Sequence, residues 1–306
     1  MRAMAIDDFG TTPTLHDLPV PVPAEGEIRV RVLAASVNGF DLAVAGGLPR
    51  GLMPYNFPIV LGKDFAGTVD AVGHGVTDFA VGDEVFGVVM KPALGDGTFA
   101  EFVAVSAEYV GAIPAGVDFA SAAASALAGA AALASVDAIS PARGETVLVA
   151  GATGGVGAFA VQMASERGAS VIATARPGAE EAFVRSLGAD GTVDRSGNAV
   201  VALRPDGVHG VIHLAGDPLE LTDVVVSGGR FASTLGFGAE HVEERDLYAS
   251  AVMAVPNRST LDRLAADLAA GTLVAPIQRT YDLDQVPQAL SDFANGKLGK
   301  LVVRVA

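Results

Sequence analysis

A glycine-rich turn in the middle of the chain joins an apolar strand to a helix-length segment. The strand TVLVAG ends at residue 151, and the turn that follows consists of Ala152, Thr153, Gly154, Gly155, Val156 and Gly157. This spacing matches the dinucleotide-binding pattern G-x-G-x-x-G, with alanine in its first place. Gly154 would let the backbone approach a pyrophosphate, and Gly157 would let helix and strand pack closely. The helix N-terminus would offer its N–H groups to the phosphates.

The alternative is a glycine turn without a ligand, since the chain contains 37 glycines. The apolar strand before the turn and the helix after it favour dinucleotide binding over this alternative.

The residue after the second strand of this motif bears on the choice of dinucleotide. SVIATA (170–175) is followed by Arg176, where NAD-binding sites carry an acidic residue for the ribose hydroxyls. A guanidinium suits the 2′-phosphate of NADPH, and a carboxylate does not. Arg195 could supply a second positive group, whereas Glu180 and Glu181 count against this interpretation, and a plain surface arginine is the alternative. We predict NADPH as the cofactor.

The composition excludes several classes of chemistry and partner. The chain has no cysteine, which rules out disulfides, iron–sulfur clusters, thiolate zinc sites and a cysteine nucleophile. Its five histidines show no metal-ligand spacing, so we predict no metal site. The net charge of −15 would repel nucleic acid and anionic membranes. The start, MRAMAIDDFG, lacks the apolar core of a secretory signal, and we predict a cytoplasmic protein that acts on a small-molecule substrate.

The stretch from Phe119 to Val136 is long enough to span a membrane, but it consists mostly of alanine, serine and glycine. Such a composition is far less apolar than that of a leucine-rich span. We predict a pair of buried helices here, packed closely through small side chains, and no membrane partner.

The periodicity of the apolar residues divides the chain into two kinds of structure. IRVRVLAASV, from Ile28, alternates at period two as a half-buried strand does, and similar short runs recur up to residue 105. Farther along, short apolar strands alternate with helical segments, which predicts a parallel sheet covered on both faces. These strands are expected at 146–151, 170–175, 210–216 and 230–236.

The end of the chain contains two predicted helices, near 260–270 and 285–294, and a final strand, LVVRV. This strand has no obvious place in the parallel sheet. We expect it to return to the first domain.

Five further segments carry a resemblance to a known family. They are ASVNGFDL (35–42), PIVLGKDFAGTV (58–69), VGDEVFG (81–87), GTFAEFVAV (97–105) and NGKLGKLVV (295–303). With the glycine turn, their order and spacing resemble the zinc-free medium-chain dehydrogenases/reductases of the quinone oxidoreductase (zeta-crystallin-like) branch, over essentially the whole chain.

The resemblance implies an α/β fold of two domains. A GroES-like β-domain would comprise 1–118 and 276–306, completed by the final strand. An inserted Rossmann domain with a doubly wound parallel sheet would comprise 119–275, and the cofactor would lie in the cleft between the two domains.

Departures from the family pattern bear on mechanism. Zinc-dependent relatives carry a cysteine near residue 38 and a histidine just before the acid in LGKDFAG, where this chain has Asn38 and Lys63. Relatives place a threonine near the nicotinamide, where this chain has Ala131, and tyrosines where it has Ala43 and Pro49. The nicotinamide end is thus predicted to be poor in polar groups.

The resemblance implies NADPH-dependent reduction of a quinone, or of the activated C=C bond of an α,β-unsaturated carbonyl. Alcohol oxidation is less plausible, because the chain lacks the ligands of a metal that would activate an alcohol. Hydrogen-bond donors must then polarise the carbonyl, and the catalytic candidates are Asn38, Tyr55 and Lys63. Asn38 is preferred because it matches the residue that in relatives sits by the nicotinamide ribose. Solvent or Tyr55 would supply the proton.

Each candidate also has a structural interpretation. Asn38 could simply form a turn, Lys63 could form a surface pair with Asp64, and Asp41 is expected to brace its loop rather than transfer protons. A non-enzymatic NADPH-binding protein and a redox-neutral enzyme on the same scaffold also stay open.

The remaining predictions concern cofactor contacts and assembly. Further cofactor contacts are predicted at Asn38, Thr174, Ala215, Gly216, Gly236, Phe237 and Asn295. The loop around Phe237 is also expected to line an apolar cleft for a flat substrate. Relatives pair through the edge of the Rossmann sheet, so we predict a homodimer through residues 230–254.

Overall fold

The computed structural model describes residues 1–194, 199–200, 202 and 206–305. Contacts divide the chain into unit 1, Met1–Leu127 with Pro256–Ala306, and unit 2, Ala128–Val255. The second boundary lies 20 residues before the predicted one at 276. The reason is the helix Arg258–Ala270, whose Leu261 and Ala265 are buried in the core of unit 1.

Unit 1 is built around a seven-stranded sheet and a three-stranded sheet. Its strands are β1 (Arg2–Ile6), β2 (Thr14–Asp17), β3 (Glu27–Ser36), β4 (Ile59–Val60), β5 (Asp64–Val72), β6 (Glu84–Val88), β7 (Phe102–Ser106), β8 (Val110–Ala112), β15 (Ile277–Asp282) and β16 (Lys300–Arg304). The large sheet has the order β15-β16-β3-β5-β6-β8, with β7 also paired to β3, and the small sheet has the order β2-β1-β4.

The final strand takes the place expected for it. β16 pairs antiparallel with β3, so that Val303 lies opposite Ala35. The next strand in the sheet, β5, also runs antiparallel to β3 and places Asp64 opposite Ser36. Strands from the N-terminal and C-terminal segments of unit 1 therefore pair in one sheet, and β16 brings Lys300 close to the start of the helix that follows β3.

Two of the helices in unit 1 are short, and the longer Arg258–Ala270 lies just after the second boundary between the units. They are α1 (Gly39–Ala45), α6 (Arg258–Ala270) and α7 (Val286–Ala294), with 3-10 turns at Ala107–Tyr109 and Leu283–Gln285. The core beneath them is formed by alternate residues of the strands, such as Ile28, Val30 and Val32 of β3, all fully buried. This alternation is the period-two pattern of the sequence.

Residues Phe119–Ile139 form one continuous helix, α2, and not the predicted pair. Alanine has the highest helix propensity, and the single Gly129 costs only about 1 kcal/mol, too little to divide the helix. Among the described residues, this helix alone is long and apolar enough to cross a membrane, but 72% of its apolar window is buried inside the protein. It has the burial of a core helix.

Unit 2 contains one parallel sheet with helices. Its strands are β9 (Thr146–Ala150), β10 (Ser170–Thr174), β11 (Gly191–Val193), β12 (Val208–His213), β13 (Val225–Ser233) and β14 (Leu247–Ala251). The helices whose bounds the structure describes here are α3 (Gly155–Glu166), α4 (Ala179–Ser186) and α5 (Pro218–Thr222), with a 3-10 turn at Ala239–His241.

The strand order of unit 2 is β11-β10-β9-β12-β13-β14, with every pair parallel. Counted within the unit, this is the doubly wound order 3-2-1-4-5-6, which confirms the predicted sheet. The order reverses between β9 and β12. Ligands of such sheets bind at this point, outside the carboxyl ends of the strands.

Candidate functional site

The turn between β9 and α3 is fixed by contacts within unit 2. Gly151 has a φ of +91°, and its N–H donates to Thr174 Oγ1 at 2.8 Å. A Cβ on Gly157 would lie 2.3 Å from the Gly151 carbonyl oxygen and 2.6 Å from the Ala152 Cα. Only glycine therefore lets α3 begin this close to β9. The packing role predicted for Gly157 has a direct geometric reason.

At position 154, in contrast, no neighbouring atom of the protein requires a glycine. Gly154 is the N-cap of α3 with a φ of −79°, and the nearest atom to a Cβ there would be the Gly151 oxygen at 3.4 Å. An ordinary side chain would fit without strain, so the bare backbone leaves space for another molecule. The next residues, Gly155 and Val156, begin α3 and are partly exposed. Their free N–H groups and the helix dipole fit the pyrophosphate of a dinucleotide.

Not all predicted contacts of this turn are accessible. Ala152 and Gly157 are buried, whereas Thr153 and Gly154 are partly exposed. Thr174 is also buried, and its hydroxyl holds the Gly151 N–H. These buried residues shape the turn, and the exposed ones offer backbone to a ligand.

The loops after β12 and β13 lie at the same carboxyl edge of the sheet. Ala215, Gly216 and Gly236 are exposed there, as a cofactor contact requires. His213 fixes the first loop, because its ring nitrogens lie 2.9 Å from Ser233 Oγ and 3.2 Å from the Gly216 carbonyl oxygen. Burial lowers the pKa of His213 and so favours its neutral form.

The structure buries Phe237, although the sequence predicted that the loop around it lines an apolar cleft. The Phe237 side chain is buried in the core of unit 2, with its ring centroid 5.2 Å from that of Phe231 and 4.7 Å from that of His241. A ring enclosed in this way cannot form the wall of a cleft. The phenylalanine follows exposed glycine and leucine residues, and only tertiary packing turns it inward.

Arg176 follows β10 as predicted, but it already has a partner. Its guanidinium is hydrogen bonded to the Glu180 carboxylate, which also accepts the Arg176 backbone N–H at 2.8 Å. The side chain of Arg176 is nevertheless 75% exposed. A 2′-phosphate could reach it only in competition with Glu180. Arg195, the second predicted cation, lies outside the described residues.

In unit 1, Asn38 belongs to a buried network with Ser36, Asp64 and Lys300. Lys300 Nζ donates to Asn38 Oδ1 at 2.7 Å, and because an ammonium only donates, this contact fixes the orientation of the amide. Asn38 Nδ2 then donates to the Ser36 carbonyl oxygen at 3.1 Å and to Asp64 Oδ2 at 3.0 Å. Both amide protons are therefore engaged.

This arrangement changes the role predicted for Asn38. A hydrogen bond from its amide to a substrate carbonyl would require one of the two existing bonds to break. What Asn38 can still offer is a lone pair on Oδ1. Asp64 is fully buried and accepts from Ser36 Oγ at 2.8 Å, so it is not the surface partner expected for Lys63.

Asp41 and Lys63 line a recess in unit 1, which is formed between α1, residues 59–63 and residues 89–96 and has a cavity volume of about 20 Å³. Asp41 is buried, and burial raises its pKa to about 7, although the Asn38 N–H donates to it at 2.8 Å. Lys63 is half-buried, with Nζ 4.8 Å from the centroid of the Phe40 ring. Burial lowers the pKa of Lys63, and the negative charge of Asp41 opposes this shift.

Tyr55 lies in an aromatic cluster near this recess. Its ring packs edge to face against Phe9 and Phe57, at centroid distances of 4.9 and 5.4 Å, and part of it is exposed. Tyr55 also forms a β-bridge with Leu94, which lines the recess. Asn295, the last predicted contact, caps α7 and is exposed, with Nδ2 3.4 Å from Ser291 Oγ.

Ser36 and Lys300 also belong to the site, although the sequence pattern did not predict them. The available signal was a lysine that begins an apolar strand, since a buried lysine requires a partner. Lys300 is only 1% exposed, and burial lowers its pKa. No group of three or more histidine, aspartate or glutamate side chains within the described ranges could hold a metal ion.

Two family models match the chain. The model of the alcohol dehydrogenase GroES-like domain matches residues 24–115, and the model of the zinc-binding dehydrogenase matches residues 187–303. The second model is named for zinc, although Asn38 and Lys63 occupy the places where zinc-dependent relatives carry ligands. The first segment lies within unit 1, whereas the second covers the end of unit 2 and the C-terminal part of unit 1.

Individual relatives include quinone oxidoreductases and an enoyl reductase. The chloroplastic quinone-oxidoreductase QR1 of Triphysaria versicolor is 32% identical over 70% of this chain and 68% of its own. The quinone oxidoreductase structure from Coxiella burnetii is 26% identical, with a TM-score of 0.90 over 100% of this chain and 99% of its own. The CurK enoyl reductase structure is 25% identical, with a TM-score of 0.85 over 100% and 99%.

The lengths of the curated relatives vary widely. The chain spans 6% of the first of them and 62% of the second. Their complete activities therefore do not transfer with the matched segment.

Proposed function

This chain belongs to the medium-chain dehydrogenase/reductase family, in its quinone oxidoreductase branch, and from this we propose that it is a metal-independent, NADPH-dependent reductase. Its substrate would be a quinone or the activated C=C bond of an α,β-unsaturated carbonyl. The family binds nicotinamide cofactors, and the choice of NADPH and of this substrate class is our proposal.

The observation that carries the proposal is the open backbone at Gly154. Gly157 is required by packing, whereas nothing in unit 2 requires glycine at position 154. A bare, partly exposed helix N-cap at the reversal of strand order is what a pyrophosphate needs. The exposed residues Ala215, Gly216 and Gly236 lie at the ends of neighbouring strands and would contact the rest of the dinucleotide.

When bound, a reduced nicotinamide supplies a hydride, and negative charge then develops on the carbonyl oxygen of the substrate. The chain must orient the substrate and stabilise this charge. The rings of Phe9, Tyr55 and Phe57 present apolar faces and edges suited to a flat conjugated molecule. Lys63 lines the recess together with Leu94, the bridge partner of Tyr55, whereas the amide protons of Asn38 are already engaged.

Arg176 supports NADPH over NADH, because its guanidinium follows β10 and is largely exposed. The competing Glu180 carboxylate makes the expected preference smaller than a free arginine would give. We expect NADPH to bind about tenfold more tightly than NADH, a difference of about 1.4 kcal/mol.

The test is NADPH oxidation against a panel of enones and quinones, with the transferable hydrogen of the cofactor replaced by deuterium. Deuterium at the β-carbon of the product would support enone reduction. Gly154→Ala is the control, because its turnover should fall in parallel with NADPH binding if the activity belongs to this site.

Tight NADPH binding without turnover across the panel would contradict the proposal. It would favour a non-enzymatic NADPH-binding protein or a redox-neutral enzyme. A redox-neutral enzyme would transform a substrate while NADPH stays unoxidised.

Metal independence can be checked directly. Elemental analysis of protein purified without a metal-affinity tag should find no zinc, and chelators should not lower the activity, because Asn38 and Lys63 replace the ligands of zinc-dependent relatives. About one zinc per chain would show this part of the proposal to be wrong.

A further inference from the structure

We infer that Lys63 is the general acid that protonates the α-carbon of the reduced substrate, and that Asp41 returns the proton to it through the recess. This inference rests on the proposed reduction of an enone. It assigns a proton donor where the sequence left solvent or Tyr55, and it gives Asp41 a role in proton transfer where the sequence predicted only a brace for its loop.

The first support is the placement of the two groups. Lys63 and Asp41 line the same recess, and its cavity volume of about 20 Å³ is enough for one water molecule. A single water can therefore carry a proton between the carboxyl group and the amine. Lys63 is only half-buried, so part of its side chain is exposed to solvent.

The second support is that the other possible proton donors are already held by hydrogen bonds or by packing. Both Nδ2 protons of Asn38 are donated to Ser36 and Asp64. Lys300 is enclosed, with Nζ bonded to the Val37 carbonyl oxygen at 3.1 Å and to Asn38. The ring of Tyr55 is packed against two other rings, which limits how far its hydroxyl can move. Lys63 instead lies over the face of Phe40, a contact that leaves its N–H groups able to move.

The charges around the recess favour transfer in this direction. Burial raises the pKa of Asp41 to about 7, so that this group can carry a proton near neutral pH. Burial lowers the pKa of Lys63, which makes its ammonium a better acid. The other charged groups nearby are Asp64 and Lys300 of the buried network, and Lys91, which also lines the recess. The Lys91 ammonium lies 2.7 Å from Asp96 and 3.4 Å from Glu27.

The proton step begins from the enolate that remains after hydride addition to the β-carbon. One N–H bond of the Lys63 ammonium breaks, and the electron pair of the enolate C=C bond forms a C–H bond at the α-carbon. The carbonyl group is restored, and Lys63 becomes a neutral amine. The Asp41 carboxyl group then donates its proton through water to this amine, and solvent protonates the resulting carboxylate.

The first experiment uses an enone with a methyl group on its α-carbon, so that protonation creates a stereocentre. The wild type should give one configuration at this carbon. Lys63→Met and Lys63→Arg should lower the single-turnover rate on the order of 100-fold and give a mixture of configurations, because solvent then protonates either face. Arginine keeps the positive charge but does not release a proton, so it separates proton transfer from electrostatic stabilisation.

The pH profile and a control variant complete this test. The wild-type rate should fall at alkaline pH as Lys63 loses its proton, and this fall should be absent in Lys63→Arg. Arg2→Met removes an exposed cation that pairs with Glu101 outside the recess, and its rate and product configuration should match the wild type.

A second measurement does not depend on turnover. The chain has only four lysines, Lys63, Lys91, Lys297 and Lys300, so ¹³C-methylated amines can be followed individually by NMR in protein without cofactor. The resonance missing from Lys63→Arg should titrate at lower pH than that of Lys91. A Lys63 resonance that titrates at or above the Lys91 resonance would contradict the inference.

The outcomes separate the inference from the proposed function. If the wild type reduces the enone and both Lys63 variants keep its rate and product configuration, only the role of Lys63 is wrong. If the wild type reduces no enone, the proposed enone reduction is wrong, and the role of Lys63 is wrong with it.

Discussion

At the scale of single residues, the buried charges around α1 determine what each polar group can do. Asp41 and Asp64 are both buried, and burial raises the pKa of each carboxyl group. Lys300 compensates part of this cost, because its Nζ lies 3.9 Å from Asp64 Oδ2. The same lysine fixes the amide of Asn38 and so removes its donors from the surface. Lys300 thus both stabilises the Asp64 carboxylate and fixes the orientation of the Asn38 amide.

The raised pKa of Asp41 predicts a pH dependence of stability. Between about pH 4 and 7, the folded state holds a proton on Asp41 that the unfolded chain has released, so this group lowers stability as pH rises. Asp41→Asn should remove this contribution, up to about 1.4 kcal/mol per pH unit. The variant should match the wild type near pH 4 and become more stable than it near pH 8.

Urea unfolding of both proteins across this pH range measures the difference, and Asp7→Asn at an exposed site is the control. A stability difference between wild type and Asp41→Asn that does not change with pH would contradict the raised pKa.

The Arg176–Glu180 pair predicts how cofactor preference can be altered. Glu180→Gln should release the guanidinium and raise the affinity for NADPH by a few-fold, with little change for NADH, because only NADPH carries the 2′-phosphate. Arg176→Glu should weaken NADPH selectively. Fluorescence titration with both cofactors measures these effects.

Glu181→Gln serves as the matched control, since its carboxylate pairs with Arg185 instead. Equal changes for NADPH and NADH in the Glu180 variant would remove Arg176 from the 2′-phosphate site.

At the scale of elements, the β9–α3 turn separates two uses of glycine. Gly157→Ala should destabilise the fold by about 1–3 kcal/mol, because the new Cβ would meet the backbone of Gly151 and Ala152. Gly154→Ala should change the free energy of unfolding by no more than about 0.5 kcal/mol. It should weaken NADPH binding at least about tenfold, because a methyl group would occupy the space proposed for the pyrophosphate.

Thermal unfolding and NADPH titration of the two variants, measured side by side, test this contrast. Unchanged NADPH affinity in a folded Gly154→Ala protein would show that the cofactor does not approach this backbone.

At the scale of the whole molecule, the outer strand of unit 2 leaves an apolar surface uncovered. β14 is the last strand of the sheet, Tyr248 on it is 73% exposed, and Met253 just beyond it is 81% exposed. An exposed sheet edge with large apolar side chains is suited to pairing with a second copy of the chain. We propose that this edge forms a homodimer.

Light scattering at micromolar concentration should therefore give the mass of two chains. Tyr248→Glu should shift the protein toward the monomer, because it buries a charge at the interface. Val22→Glu places the same charge at an exposed valine of unit 1 and should leave the mass unchanged. A wild-type monomer at this concentration would rule out the proposed dimer.

The sequence by itself determined the features that depend on local pattern. The period-two strands, the parallel strands with helices between them and the glycine turn follow from side-chain periodicity and from backbone space at Gly157. The place of the final strand followed from its lack of a partner in the parallel sheet. These features need only short stretches of chain. The structure has the parallel strands near the predicted positions, with β12 and β13 beginning two and five residues earlier.

The tertiary structure alone decided which groups are buried and which partners they meet. Lys300 reaches Asn38 across 262 positions of the chain, and this contact removes the donor role that the family resemblance implied. Phe237 turns into the core, α6 packs in unit 1, and Arg176 pairs with Glu180, because burial and charge neutralisation depend on all neighbours at once. A local pattern names the residues that can do chemistry, and desolvation decides which of them remain free to do it.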